Sequence, residues 1–511
     1  MPCNPLKCQC GQPFLPQRYV MVIIVSFGLM INFIQRENFG IIVGHFGISQ
    51  TNLSDLKESA CGGPIEEQFG KSFDEWQMLA QASLFGSFII GLVIMMLPSG
   101  FIADKYGARK IFLISMSVSS LISGLYPFIV KNGFFWLVCT GRAFLGASSA
   151  CVTTASVTLV SRWIPKSEQA TVCGAIFTCV TVAMIGVHVD YIRDSKDLRW
   201  ELVFHIWGGV GCVWCIFAAL WLFSTPDTHP SMTSREKTYL EENLSHCFVI
   251  IIFLGVTLIF LEQRFELPLD WVAIFLDPAI WALVAAQVGN AYIFCSLVTN
   301  ITTYYTYALS VSLQDELFMI LIPYMIVWPF AVLLGYLADF LVYYRGVKPI
   351  IFRKVYYGVA TALPAIFIIT VVFLECETLP IFISASLGIV FSALFYCSII
   401  PNVLEVTNNY PGFVTGIMCM CGAIVLALKP FYFMYISKEK NSLTSWKVVG
   451  FVVAMNALFN TFIYSIMGSS KRRLWDMTQG EKDFYNEQRA KDEAAKAAAN
   501  KDAPAAPPPK K

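Results

Sequence analysis

Residues 100–110 read Gly100-Phe-Ile-Ala-Asp104-Lys105-Tyr-Gly107-Ala-Arg109-Lys110, a short charged turn between two long apolar runs. The run ahead of it, 78–102, and the run behind it, 111–130, carry no charged side chain. Each has about 20 residues, the length a helix needs to cross the hydrocarbon core of a bilayer. The stretch is therefore a tight hairpin between two membrane-spanning helices, with lysine and arginine at its tip. A weaker copy, Gly335-Tyr-Leu-Ala-Asp339, closes another apolar run much later in the chain. Two copies predict two related halves.

The composition agrees. Of 511 residues, 56% are hydrophobic and only 14% charged, too little polar surface for a soluble protein of this size. The net charge of +1 argues against a nucleic-acid partner, which would call for a basic face. Residues 1–17 are polar and contain Pro2, Pro5, Pro13 and Pro16. They have no apolar core, so the first span, not a cleaved signal peptide, is expected to direct insertion.

Twelve long apolar segments lie near 18–46, 78–103, 111–130, 134–160, 168–190, 201–223, 274–307, 317–339, 353–374, 379–402, 411–437 and 446–468. Each must satisfy its own backbone inside the bilayer, which predicts helices. The fold class expected is an all-α membrane protein with two pseudo-symmetric six-helix bundles, 18–223 and 274–470. A cytoplasmic tail (1–17) precedes them, a cytoplasmic linker (224–273) joins them, and a charged, alanine-rich tail (471–511), expected to be disordered, follows. Inside the linker, Cys247–Leu261 is apolar but short for a span. A thirteenth crossing would also put the Asp339 turn on the wrong side. An interfacial or bundle-packed helix is favoured over a true span.

Orientation follows from basic residues in short loops. Lys105, Arg109 and Lys110 fall between spans 2 and 3, Arg162 and Lys166 between 4 and 5, and Arg345, Lys348, Arg353 and Lys354 between 8 and 9. These loops share one face by parity, expected to be cytoplasmic along with both termini. Asn52-Leu-Ser54 is a glycosylation sequon on the opposite face.

Charges inside spans are costly and need a reason. Arg36 and Glu37 lie in span 1, Arg142 in span 4, Glu405 at the end of span 10 and Lys429 in span 11. One reading is a central cavity between the bundles, with cations facing an anionic substrate. Arginine suits this because its planar fork grips a carboxylate or phosphate at two points. The other reading is structural: Arg36 pairs with Glu37 or a neighbouring helix, Arg142 bonds carbonyls, and Lys429 snorkels. Glu37 is either a proton carrier or a counter-charge, and Glu405 is a further ion-coupling candidate. Asp104 and Asp339 are better explained by architecture. Each can accept from helix-end N–H groups, and Tyr410-Pro-Gly412 is a helix start on the same face. Such contacts would latch the halves together and bias which face is open. Gly100, Gly107, Arg109, Lys110 and Gly335 belong to the same gating turns.

No Gly-x-Ser-x-Gly elbow, phosphate-cradling loop or His-Glu-x-x-His pattern is present. An enzyme is not expected, nor an ATP-driven pump, nor any cofactor or metal ligand set.

The 100–110 turn resembles, position for position, the loop between helices 2 and 3 of the major facilitator superfamily. Further stretches resemble its anion–cation symporter branch, which includes sialin, the vesicular glutamate transporters and the sodium-phosphate cotransporters. These are Arg18-Tyr19, Arg36-Glu-Asn-Phe-Gly40, the linker from Asp227 to Leu240, Ala338-Asp-Phe-Leu341 with Arg353-Lys354, and Asn402-Val-Leu-Glu405 followed by Tyr410. The similarity covers about residues 18 to 475. It implies the twelve-helix fold and transport of organic or inorganic anions, often coupled to H+, Na+, Cl− or membrane potential. Arg36 and Arg142 fall on the family's arginines of spans 1 and 4. The chain also departs from the pattern. The span-4 acids of sialin-like members fall on Leu145 and Ser149, and the span-7 arginine of the vesicular glutamate transporters falls on Asn290. Lys429 is a charge foreign to the pattern and could replace that missing cation.

The function expected is secondary active or facilitative transport of a small organic anion by alternating access around a site near the midplane. Arg36, Arg142, Asn290, Tyr292 and Lys429 are the substrate candidates. A non-transporting membrane sensor or receptor on the same scaffold is the alternative. Plasma, vesicular and lysosomal membranes all fit.

Overall fold

The computed structural model describes residues 15–39, 78–132, 135–195, 200–230, 232–244, 270–297, 301, 304–305, 308–311, 313–436, 443–477, 480–483 and 486–487. The described part of the first half holds α1 (Gln17–Glu37), α2 (Met78–Tyr106), α3 (Ala108–Lys131), α4 (Phe135–Trp163), α5 (Gln169–Ser195) and α6 (Trp200–Trp221). A linker helix, α7 (Ser234–Leu244), follows. The second half holds α8 (Trp271–Leu276), α9 (Pro278–Cys295), α10 (Leu313–Asp339), α11 (Pro349–Leu374), α12 (Thr378–Ser392), α13 (Leu394–Val406), α14 (Pro411–Ile436) and α15 (Leu443–Met467). Eleven segments among the described residues are long and apolar enough to cross a membrane, and α14 supplies a shorter twelfth in Pro411–Ala427. The fold is an all-helical, twelve-span membrane architecture.

Several boundaries differ from the sequence expectation for local reasons. Span 7 does not run unbroken from 274. Asp277 accepts from the Ala279 amide at 2.9 Å and caps α9, Pro278 fills the first helical position, and α8 is left as a separate short helix. Span 10 is divided at Ala393 into α12 and α13. Span 8 continues past Asp339 through a π-helical turn, Phe340–Tyr344. Residues 471–477, assigned by composition to a disordered tail, instead pack back on the protein. They form a 3-10 turn at Leu474–Asp476, with Asp476 fully buried. Their order comes from polar contacts, which an apolar-face criterion does not register. Cys247–Leu261 and Asn52 lie outside the described residues.

Burial sorts the helices. The apolar window of α4 is 78% buried and that of α2 only 22%, so α4 runs inside its bundle while α2 presents much of its surface outward. Exposed Ile94, Phe128, Trp136 and Phe462 suit a lipid boundary, where apolar side chains need no cover. With no hydrophobic drive between helices in lipid, close contact comes from small residues. A Cβ on Gly91 would overlap the Ala143 carbonyl, and one on Gly146 the Phe88 carbonyl, so α2 and α4 pack backbone to backbone.

The halves meet chiefly through α2 with α14 and α5 with α10. Cys376, in the turn between α11 and α12, is disulfide-bonded. Such bonds persist in oxidising compartments, and this turn lies on the face opposite the basic loops.

Candidate functional site

Two aspartate contacts, termed latches, join the halves at the basic face. At the end of α2, the Asp104 carboxylate accepts from the Gly412 amide at 3.1 Å and the Phe413 amide at 2.8 Å, in the first turn of α14. Thr158 of α4 donates to the same carboxylate at 2.7 Å. At the end of α10, Asp339 accepts from the amides of Ala170 at 3.1 Å and Thr171 at 2.8 Å, in the first turn of α5. The Thr171 hydroxyl adds a third bond at 2.7 Å. Each aspartate thus meets orphan donors and the positive end of a helix dipole from the opposite half.

Glycine permits the approach. A Cβ on Gly100 would overlap the Gly412 carbonyl, and one on Gly335 would sit 2.7 Å from the Ala170 carbonyl oxygen. Gly107 begins α3 with φ +102°, a conformation that disfavours other residues. Arg109 donates to the Ala219 carbonyl at 2.6 Å and lies over the Phe223 ring, tying the hairpin to the end of α6. Lys110 is exposed.

Glu405 belongs to this face. It pairs with Arg353 at 2.9 Å, with 8% and 1% of the two side chains exposed. Arg353 also donates to the Cys397 carbonyl at 3.0 Å and interacts electrostatically with Asp339.

Arg36 and Arg142 form a second cluster. Arg36 lies nineteen residues into α1, roughly 28 Å along the axis at 1.5 Å per residue. It therefore sits nearer the far face than the midplane. Its Nε pairs with Glu37 at 2.8 Å, with 29% and 38% of the side chains exposed, and its guanidinium lies over Phe33 at 4.3 Å. Arg142 is only 4% exposed. It donates to the Arg36 carbonyl at 3.0 Å and is held over the rings of Phe39 at 4.1 Å and Phe88 at 4.9 Å. One arginine presents its head group, while the other braces the backbone beneath it.

A narrow cleft between the halves leaves only about 10 Å³ of free space, room for roughly one water. Thr181 of α5 lines one side. Phe294, Tyr324, Ile389 and Tyr396 of the second half line the other. Arg36 and Glu37 do not line the cleft, though Tyr396 feels the charge of Arg36 and Tyr324 that of Glu37. Asn290, 6% exposed, lies against the Tyr396 hydroxyl. Tyr292 is partly exposed on α9. Lys429 is in α14, but its side chain lies outside the described residues. Sequence reasoning missed Thr181, Tyr324 and Tyr396. The chain has 21 tyrosines, and nothing in the local pattern of an apolar span singles out two of them.

Two six-helix halves, joined on one face by reciprocal aspartate contacts, have the architecture of a membrane transporter. The Major Facilitator Superfamily model matches residues 25–430, more than half of the chain, and the chain belongs to that family. Its curated relatives fall in the anion–cation symporter branch. It is 23% identical to a putative inorganic phosphate cotransporter of Drosophila melanogaster over 474 residues, covering 90% of this chain and 86% of that one. It is 24% identical to human sialin over 476 residues, 90% of each. Among solved structures, the proton:xylose symporter XylE shares the fold with a TM-score of 0.60 at 14% identity, covering 90% of this chain and 98% of that one.

Proposed function

We propose that this protein carries a small organic anion across the membrane by alternating access, with Arg36 as the anion contact. The observation that carries this is the position of the Arg36–Glu37 pair. An arginine side chain that is 29% exposed is neutralised by the next residue in the chain and lies within electrostatic reach of Tyr396, which lines the space between the halves. An incoming carboxylate or phosphate would take the place of Glu37, keeping the guanidinium paired at every stage. Arg142 is then a positioning residue that fixes the end of α1. Asn290, Tyr324 and Tyr396 supply the opposite wall, and Tyr292 and Lys429 stand as further contacts from the second half. With room for about one water, the cleft is shut to a solute in this conformation and would have to widen as the halves rock. The name of one relative, a putative inorganic phosphate cotransporter, points to the same charge class.

Bundles 18–223 and 274–470 would rock about this cleft, opening the basic face when the Asp104 and Asp339 latches part. Energy would come from the solute's own gradient or from coupled H+, Na+ or Cl−. Glu37, displaced from Arg36 by substrate, is the residue best placed to take up a cation. Glu405, committed to Arg353, acts on the gate instead.

The test is ligand-dependent stabilisation of the purified protein against carboxylates, phosphate, sulfate and urate, since binding to the folded state raises the melting temperature by mass action. One anion class should stabilise the wild type and leave Arg36→Ala unmoved. Equal stabilisation of both would remove Arg36 from the site.

A further inference from the structure

Each half is followed by a segment that carries the same short pattern. After span 6 the chain reads Met232-Thr233-x-x-Glu236-Lys237-x-Tyr239, and after span 12 it reads Met477-Thr478-x-x-Glu481-Lys482-x-Phe484. A 3-10 turn precedes each copy, Pro226–Thr228 in one and Leu474–Asp476 in the other.

In the first half, Glu236 accepts from the amides of Gln17 at 3.0 Å and Arg18 at 3.1 Å, capping α1. Arg18 lies over the Tyr239 ring at 4.8 Å and donates to Glu168 at 3.1 Å. Tyr239 donates to Glu168 at 3.3 Å. Glu168 stands two residues before Ala170, whose amide meets Asp339. The linker therefore grips the chain at the doorstep of one latch.

In the second half, Glu481 accepts from Arg472 at 2.9 Å, and Arg472 donates to Asp476 at 2.8 Å. Asp476 gathers the Thr407 hydroxyl at 2.7 Å and the amides of Asn408 at 2.8 Å and Asn409 at 3.0 Å. Thr407 in turn accepts from the Tyr410 amide at 3.0 Å, three residues before Phe413 meets Asp104. Arg473 and Trp475 anchor the segment to Asp277, at 3.1 Å and 2.9 Å.

We propose that the two segments are paired straps. Each braces, within its own half, the helix N-terminus on which the other half's aspartate latches. The C-terminal strap therefore holds the α14 N-terminus in the register that Asp104 requires, and loosening it favours opening of the basic face. Asp476 acts through Asp104, as a positioning residue. This inference requires alternating access but does not depend on which solute is carried.

The full-length chain in liposomes without solute, spin-labelled at Lys110 and Lys348, reports the separation of the halves on this face. Asp476→Asn should at least triple the long-distance population in the wild-type background and again in Asp339→Asn, yet add nothing in Asp104→Asn, because both changes act on one helix N-terminus. Glu481→Gln, at a partly exposed site, should give a smaller shift with the same dependence and an unchanged melting temperature, so the test survives if Asp476→Asn folds poorly. The mirror variant, Glu236→Gln, should be non-additive with Asp339→Asn. An unchanged distance distribution in Glu481→Gln, or the same multiplication by Asp476→Asn in every background, would overturn the proposal.

Discussion

The Asp104 carboxylate accepts the amide of Phe413 at 2.8 Å across 309 residues of chain. A charged acceptor joins the end of one helix to the start of another in the opposite half. Hydrogen bonds to a charged group contribute about 1.5–3 kcal/mol each, so this single contact can bias a two-state equilibrium by one to two orders of magnitude.

Asp104→Asn and Asp339→Asn should therefore each shift the protein toward opening on the basic face, by roughly tenfold or more in population. Labelling, from the basic face, of cysteines introduced in the cleft reads this directly. Gly412→Ala should act in the same direction, because the added methyl would lie 2.5 Å from the Thr158 hydroxyl oxygen and 2.9 Å from Asp104. Unaltered labelling in all three would show that the latches do not govern access.

Arg36→Lys should weaken anion binding by about tenfold, or ~1.4 kcal/mol, since an ammonium cannot offer two parallel donors. Glu37→Gln should strengthen equilibrium binding of the anion by removing its competitor. Isothermal titration measures both. Weaker binding in Glu37→Gln would mean that Glu37 contacts the substrate rather than yielding to it.

Breaking the buried Arg353–Glu405 pair from one side strands a charge. Glu405→Ala should lower stability by about 3–5 kcal/mol, whereas the joint apolar replacement Arg353→Met with Glu405→Leu should cost much less than the two single changes together. Thermal unfolding in detergent checks the comparison. Equal losses in Glu405→Ala and the double variant would assign the pair a role beyond mutual neutralisation.

Arg142→Ala should reduce anion affinity without itself touching substrate, because the Arg36 carbonyl loses its 3.0 Å donor. Filling the space with Arg142→Met should restore stability before it restores affinity. If both variants bind like the wild type, the end of α1 holds its place unaided.

Much of this was legible in the chain. The 100–110 turn and its copy at 335–339 predicted a doubled bundle, because a charged glycine turn between two spans has few other uses. Arg36 stood out because charge in a span is rare. What the sequence hid was partnership. Glu405 reads like a coupling carboxylate until Arg353, 52 residues earlier, is found against it. Arg142 is open in the sequence to two readings, substrate ligand or carbonyl donor, and only the fold supplies the carbonyl, that of Arg36. Asp476 sits in a polar stretch with no apolar periodicity, and its burial depends on loop amides that no local pattern announces.

Reconstituted uptake offers the most direct test of the whole. Labelled carboxylates, phosphate, sulfate and urate would be presented to liposomes holding the wild type or Arg36→Ala. Saturable entry of one anion class in the wild type, absent in Arg36→Ala, is the expected result. An anion that binds the wild type yet never enters, or enters equally well through Arg36→Ala, would contradict it.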